Sequence, residues 1–315
     1  MVDDWFGPET AWWAKHQHAQ DHLARLRDVC AQYQSTIPLE VRAESTDVPG
    51  QVAYRLHQST PIPLAISLIV GDLVHCLRSS LDSLVFGMVR DSLGRDMTEK
   101  EERACQFPIC ASPEDFDKFF TRSRAKMMED RVRSTLRGAQ SFYWLEQTKM
   151  LGIEGANALS YEEDSRFRPL TSVARLSNID KHRRLTVTAW WPSLFYWTVG
   201  KNDSGDFHWR ASGVPPWDDG AIIGYVTGTG SEPPKFFHEF DLVIIDATTH
   251  SSLDLSSRDL IAEAEEWVAG VEVALRQMIG EYTQLPPRPS LSDPQPLGEH
   301  HQPEEGNFLG QRHRM

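Results

Sequence analysis

The sequence predicts an α+β fold, with a helical core built on a long buried helix, an antiparallel sheet and a C-terminal amphipathic helix. Three observations predict it. Residues 64–86, LAISLIVGDLVHCLRSSLDSLVF, form an apolar run of helical length behind Pro63. Residues 185–246 alternate aromatic and β-branched runs with Pro, Gly, Asn and Asp turns, the pattern of antiparallel strands. Residues 256–280 place Leu260, Ala264, Trp267, Val271 and Leu275 at the spacing of one helix face.

The elements follow in order. Thr10 stands as an N-cap for a helix through about Tyr33, with Trp13, His16, Leu23, Leu26 and Cys30 in helical spacing. Leu39, Val41 and Ala43, then Val52, Tyr54 and Leu56, alternate across the turn Asp47-Val48-Pro49-Gly50, which predicts a β-hairpin. Pro61 and Pro63 open the long apolar helix, and Gly94 ends it. An extended stretch, residues 107–109, precedes a short helix that starts at Ser112-Pro113-Glu114-Asp115 and ends at Phe119-Phe120. Residues 123–148 and 171–184 are predicted helical. LTVTAWW, LFYWTV, DFHWRAS, AIIGYVTG and FDLVIID predict about five strands, whose tryptophans fill the core against a helix. Residues 1–284 are predicted to form a single domain. The stretch 285–315, rich in Pro, His, Gln and Glu and without periodicity, is predicted to be a disordered tail.

Bulk properties restrict the function. The 315 residues are 40% hydrophobic with ten tryptophans, sufficient for a large core. A formal net charge of −13 argues against nonspecific coating of nucleic acid or anionic membrane. Cys30, Cys76, Cys105 and Cys110 lack metal-ribbon spacing and are expected as free thiols. The acidic, polar start MVDDWFGPETAWW is unlike a secretory signal, and Asp72 and His75 interrupt the apolar run, against a membrane span. The expectation is a cytoplasmic protein without membrane association.

Two charged segments are the candidate site. At about 100° per residue, Asp72, His75, Arg78, Ser79 and Asp82 share about a third of the long helix's circumference. A helix this apolar is buried on most sides, so these polar groups must face a partner, a cleft or a ligand. Arg binds oxyanions and His titrates near neutrality, which suits a phosphate site. An internal ion pair of Arg78 with Asp82 one turn away explains the stripe equally. The second segment is Asp180, Lys181, His182, Arg183 and Arg184, either a solvated helix end or the other half of the site. His18 and His22, one turn apart, lack a third metal ligand, and an exposed polar face accounts for them. No G-x-S-x-G, Walker-type or paired C-x-x-C signature occurs, and Gly228 and Gly230 lack nucleotide-loop context, so neither cofactor nor metal is expected.

GDLVHCLRSSLDSLVF, followed about a hundred residues later by LSNIDKHRRL, resembles a widespread group of uncharacterised bacterial proteins. These carry an L-R-S-x-L-D helix and a D-K-H-R element, and the intervening Phe107-Pro108-Ile109 suits the same group; the likeness spans roughly residues 50–190. The Arg-containing helix also resembles the R-x4-6-H signature of HEPN helical domains. Many of those are metal-independent RNases in which Arg and His from a dimer interface act on the ribose 2′-OH and phosphate; others bind nucleotides or partners. Arg78 matches the motif Arg, but Ser83 stands where the motif His belongs.

Two functions follow as expectations. One is a noncatalytic HEPN-like binding or interaction module, with RNA, a nucleotide or a protein as partner and room for a homodimer. The other is a metal-independent ribonuclease or phosphate-substrate hydrolase. In it Arg78 binds the phosphate, His75 or His182 acts as general acid–base, Asp72, Asp82 or Asp180 orients the imidazole, and Lys181 and Arg183 stabilise developing charge, with Asp72 and Ser79 among the binding residues.

Overall fold

Helix α2, Leu64–Leu93, runs through the main core, and four other helices pack on it. A computed structural model describes residues 10–110, 112–121, 127–152, 168–182, 185–198, 207–212, 219–228, 235–245 and 259–284. Val70, Leu73, Val74, Leu77, Leu81, Val85, Met88 and Val89 of α2 are fully buried. The helix ends where Gly94 adopts φ 60°, a left-handed cap that glycine takes without strain. Against α2 pack α1 (Ala11–Ser35), α5 (Asp130–Gly138), α7 (Arg168–His182) and α8 (Leu260–Gln284). Among the described residues α2 is the one helix long and apolar enough to cross a membrane, and most of it is buried inside the protein.

The predicted hairpin is present as β1 (Leu39–Ser45) and β2 (Gln51–Gln58), paired antiparallel from Leu39 opposite Gln58 to Ser45 opposite Val52. A short helix, α3 (Glu99–Glu102), follows α2, and α4 (Pro113–Thr121) starts where the Ser-Pro-Glu-Asp signal placed it. Thr98 and Glu101 form a reciprocal capping box at α3, a signal present in the sequence as T-x-x-E. The predicted helix 123–148 is divided into α5 and α6 (Ser141–Met150), and residues 122–126 lie outside the described residues. Gln140 causes the division. Its backbone is extended, its side-chain amide donates to Leu136 O at 2.9 Å, and its Oε1 accepts from Cys110 N at 3.1 Å. A buried tertiary bond thus outweighs local helix preference.

The aromatic region departs further from expectation. LTVTAWW and LFYWTV are one strand, β3 (Thr186–Thr198), which continues through Pro192 with register shifts on either side of it. A bulge accommodates the missing N–H without ending the strand. Among the described residues β3 pairs with β6 (Lys235–Ile245) alone, in a two-stranded sheet. β4 (Phe207–Ala211) and β5 (Ile222–Gly228) join the N-terminal hairpin instead, in the antiparallel order β1-β2-β5-β4. That sheet has a small core of its own, Tyr54, Leu56, Ile223 and Val226. Trp209 lies across Gly224 there, with its ring centroid 5.9 Å from that of Tyr54, so this tryptophan packs within a sheet rather than against a helix. The described elements belong to one compact unit that ends at Leu285; the predicted tail, 285–315, lies outside the described residues.

His16 is a polar group inside the α1–α8 contact. It is fully buried, its Nε2 lies 3.4 Å from the Val268 carbonyl, and its Nδ1 has no partner among the described residues. Burial is the main cause that lowers its pKa, with Arg276 acting in the same direction and the Val268 carbonyl and Glu272 opposing. An unfolded His titrates near ~6.5, so below that value the unfolded chain binds a proton that folded His16 resists. The unfolded state then holds more protons, and stability rises with pH across this window. Acidification from neutral pH through that window is therefore expected to lower the melting temperature of the protein more steeply than that of His16→Leu. Parallel melting curves across the same pH series exclude this role.

Candidate functional site

Arg78 and Asp82 sit one turn apart on α2 and form an ion pair of 3.1 Å, with Arg78 Nε donating to Asp82 Oδ2 at 3.3 Å. The pair closes on the backbone of the extended segment 105–110. Arg78 Nη2 donates to Phe107 O at 2.6 Å, and Phe107 N donates to Asp82 Oδ1 at 2.8 Å. Both peptide groups of Phe107 are thus satisfied by side chains, in the way a neighbouring strand would satisfy them. Its ring is buried in the main core, and Phe116 and Phe142 lie in the same core. The charged side chains are only 18% and 28% exposed, so the contacts are charge-assisted hydrogen bonds in a largely dry setting.

Asp180 reaches α2 elsewhere. Its carboxylate lies over Gly71, where a Cβ would stand 2.8 Å from Oδ1, so the absence of a side chain there admits the α7–α2 approach. Gly71 and Arg78 are about 10 Å apart along the helix axis. Asp72 and His75 are exposed beside this contact, Ser79 is half-buried and Lys181 is exposed. Neither Asp72, His75 nor Asp180 forms a hydrogen bond or ion pair among the described residues. The His182 side chain and Arg183 lie outside the described residues. The stripe therefore divides: Arg78 and Asp82 bind the Phe107 segment, Gly71 seats Asp180, and Asp72 and His75 face solvent. The partner of Arg78 outside its own helix is the Phe107 backbone rather than the Asp180 element.

The opposite flank of the stripe runs beside α1. Asp72, Cys76, Ser79 and Ser83 share it at spacings of four, three and four residues. Lys15 of α1 donates from Nζ to Ser83 Oγ at 2.6 Å. Burial, then Asp72, raises the Cys76 pKa, and the Lys15 charge opposes them. No sequence signal joins Lys15 to Ser83, because they are 68 residues apart and meet only where α1 packs on α2. Phe107 had one signal, the extended F-P-I that follows the long helix.

Elsewhere, His18 Nδ1 is 3.7 Å from Asp21 Oδ2 on an exposed face. Among the described residues no three His, Cys, Asp or Glu side chains are grouped to hold a metal. All four cysteines are free. In comparisons with known proteins, no family model, no curated protein and no solved structure matches this chain.

Removal of Arg78 leaves the Asp82 carboxylate and the Phe107 carbonyl with fewer partners, at a cost of about 1.5–3 kcal/mol for hydrogen bonds to charged groups. Urea denaturation is expected to show this loss for Arg78→Ala, and a double-mutant cycle with Asp82→Ala is expected to give a coupling above about 0.5 kcal/mol. Additive single effects contradict the clasp.

Proposed function

We propose that the chain is a noncatalytic, HEPN-like binding or interaction module of a bacterial cytoplasm, with RNA, a nucleotide or a protein as its partner. Arg78 carries this reading. Its guanidinium already holds Asp82 and the Phe107 carbonyl, and Ser83 stands in the motif His position. An arginine engaged in this way is not free to grip a phosphate bidentately. His75, the nearest histidine in sequence to Arg78, is exposed and bonded to no described carboxylate, so nothing orients it as a general base. The four free cysteines agree with a reducing compartment.

The surface that we assign to a partner is the exposed run at the start of α2. Leu64 and Leu68 are 51% and 55% exposed one turn apart, and Asp72 and His75 continue the same line. Exposed leucines followed by polar groups offer both apolar contact and orientation.

Two measurements test the reading. Incubation of the purified chain with single-stranded RNA and with nucleotides, with and without Mg²⁺, is expected to yield no product. Cleavage by the wild type that disappears in both Arg78→Ala and His75→Ala establishes the hydrolase instead. In fluorescence anisotropy with the same RNA and sedimentation of the protein alone, Leu64→Lys with Leu68→Lys is expected to weaken whichever association the wild type displays. Association unchanged by that pair of substitutions removes this face from the proposal.

A further inference from the structure

Among the described residues β1 pairs with β2 alone, without interruption from Leu39 to Ser45, so it forms an edge of its sheet. Ser59 N donates to Pro38 O at 2.8 Å, on the same register. The alternation of an antiparallel ladder then turns the peptide groups of Glu40, Arg42 and Glu44 towards β2. Those of Leu39, Val41, Ala43 and Ser45 point to the outer edge, where no described group of another element bonds to them. The nearby strand β6 is paired with β3. Edge strands are commonly guarded by proline, a bulge or charge. β1 has no proline and no bulge, and its charges alternate in sign along one face: Glu40, Arg42, Glu44. Glu40 and Arg42 are exposed and bond to each other at 2.9 Å, while Glu44 holds Arg55. On the other face Leu39 and Val41 are half-buried against the small core of Tyr54, Leu56, Ile223 and Val226. Ile37, just before the strand, is 75% exposed at φ 48°, a conformation that β-branched residues rarely adopt.

We propose that the edge of β1 pairs antiparallel with β1 of a second copy of this chain, about a two-fold axis at Val41. Charge selects both the partner and the register. Centred on Val41, the pairing sets Glu40 of each copy opposite Arg42 of the other, and opposite charges across strands attract. A slip of the centre to Arg42 sets arginine against arginine and Glu40 against Glu44, which repels. Centring on Ala43 calls on Glu44, already engaged by Arg55. The Val41 register also satisfies the edge: Leu39 exchanges backbone bonds with Ala43 of the other copy, and Val41 with its own equivalent. On the apolar face Val41 meets Val41, and Leu39 meets Ala43, so two small cores that end at an edge become continuous. The contact is short, so a dissociation constant on the order of micromolar is expected. It goes beyond the role assigned to α2 and uses none of its residues.

Sedimentation of the wild type over concentrations that bracket micromolar is expected to show a shift from monomer to dimer, and a monomer throughout overturns the proposal. Arg42→Glu and Glu40→Arg each set like charges across the axis and are expected to weaken the dimer about tenfold. The double exchange Glu40→Arg with Arg42→Glu restores opposite charges and is expected to recover wild-type affinity. A dimer indifferent to the single exchanges, or a double variant as weak as they are, overturns the pairing. Melting curves identify any variant that has failed to fold. Disulfide trapping reads the register independently. Equivalent positions at the axis lie about 5.5 Å apart, so Val41→Cys is expected to form a 41–41 crosslink under mild oxidation, located by peptide mapping against the wild-type cysteines as background. Ala43→Cys lies ~14 Å from its equivalent in this register and is expected not to crosslink. A crosslink at 43 but not at 41, or at neither, overturns the proposal. Arg42→Glu keeps Leu64 and Leu68, so association through α2 is read in that background, and either proposal can fail without the other.

Discussion

The burial of α2 is the constraint on which the rest of this molecule depends. A helix of thirty residues with leucine, isoleucine and valine on most of its circumference cannot stand in water. Four helices drawn from the whole length of the chain, α1, α5, α7 and α8, pack on it. This arrangement leaves one longitudinal strip to be filled by something other than a helix. The extended segment at Phe107 fills part of it, and the Arg78–Asp82 pair is what lets an irregular backbone lie against a helix without stranded peptide groups.

The same logic fixes the ends of the helices. Near the C-terminus of α8, Tyr282 is buried and its hydroxyl donates to Asp91 Oδ2 at 2.7 Å, with Met88 O 3.1 Å away. Arg131 of α5 stacks its guanidinium 3.9 Å from the Tyr282 ring centroid, and its Nε donates to the Tyr282 carbonyl at 3.2 Å. Burial, with the Asp91 carboxylate beside it, raises the Tyr282 pKa, so the phenol stays protonated as a donor. One tyrosine thereby joins α2, α5 and α8. Several polar groups in this core act as clamps between elements: Arg78 and Asp82 hold the Phe107 backbone, Gln140 accepts from Cys110 N, and Tyr282 reaches Met88 O. A chain that uses its buried arginines and acids in this way keeps few of them for a substrate, which is why the proposed role rests on surface residues of α2.

Much of the architecture was legible in the sequence. The spacing of Leu73, Leu77, Leu81 and Leu84 placed the central helix, Gly94 its end, and Asp47 to Gly50 the hairpin. These are local signals, each set by backbone preference and by the period of apolar residues. Pro192 misled as punctuation, because a bulge let the strand pass through it. Gln140 was invisible as a helix breaker, because its role depends on Cys110, thirty residues earlier in the chain. Of the charged stripe, the sequence pointed to the ion pair of Arg78 with Asp82, and no local pattern pointed to Phe107 as the group they hold.

By itself the sequence determined that this is a helical core around one buried helix with added antiparallel strands, and which residues of that helix are polar. Periodicity and turn chemistry act over a few residues, so a linear reading captures them. Only the tertiary structure decided that β4 and β5 complete the N-terminal hairpin's sheet, that Asp180 rests on Gly71, and that Lys15 meets Ser83. Each of these joins residues far apart in the chain, and their proximity follows from how all the buried faces pack at once. The long helix announces its polar stripe; its neighbours determine which of those polar groups are engaged and which are left free.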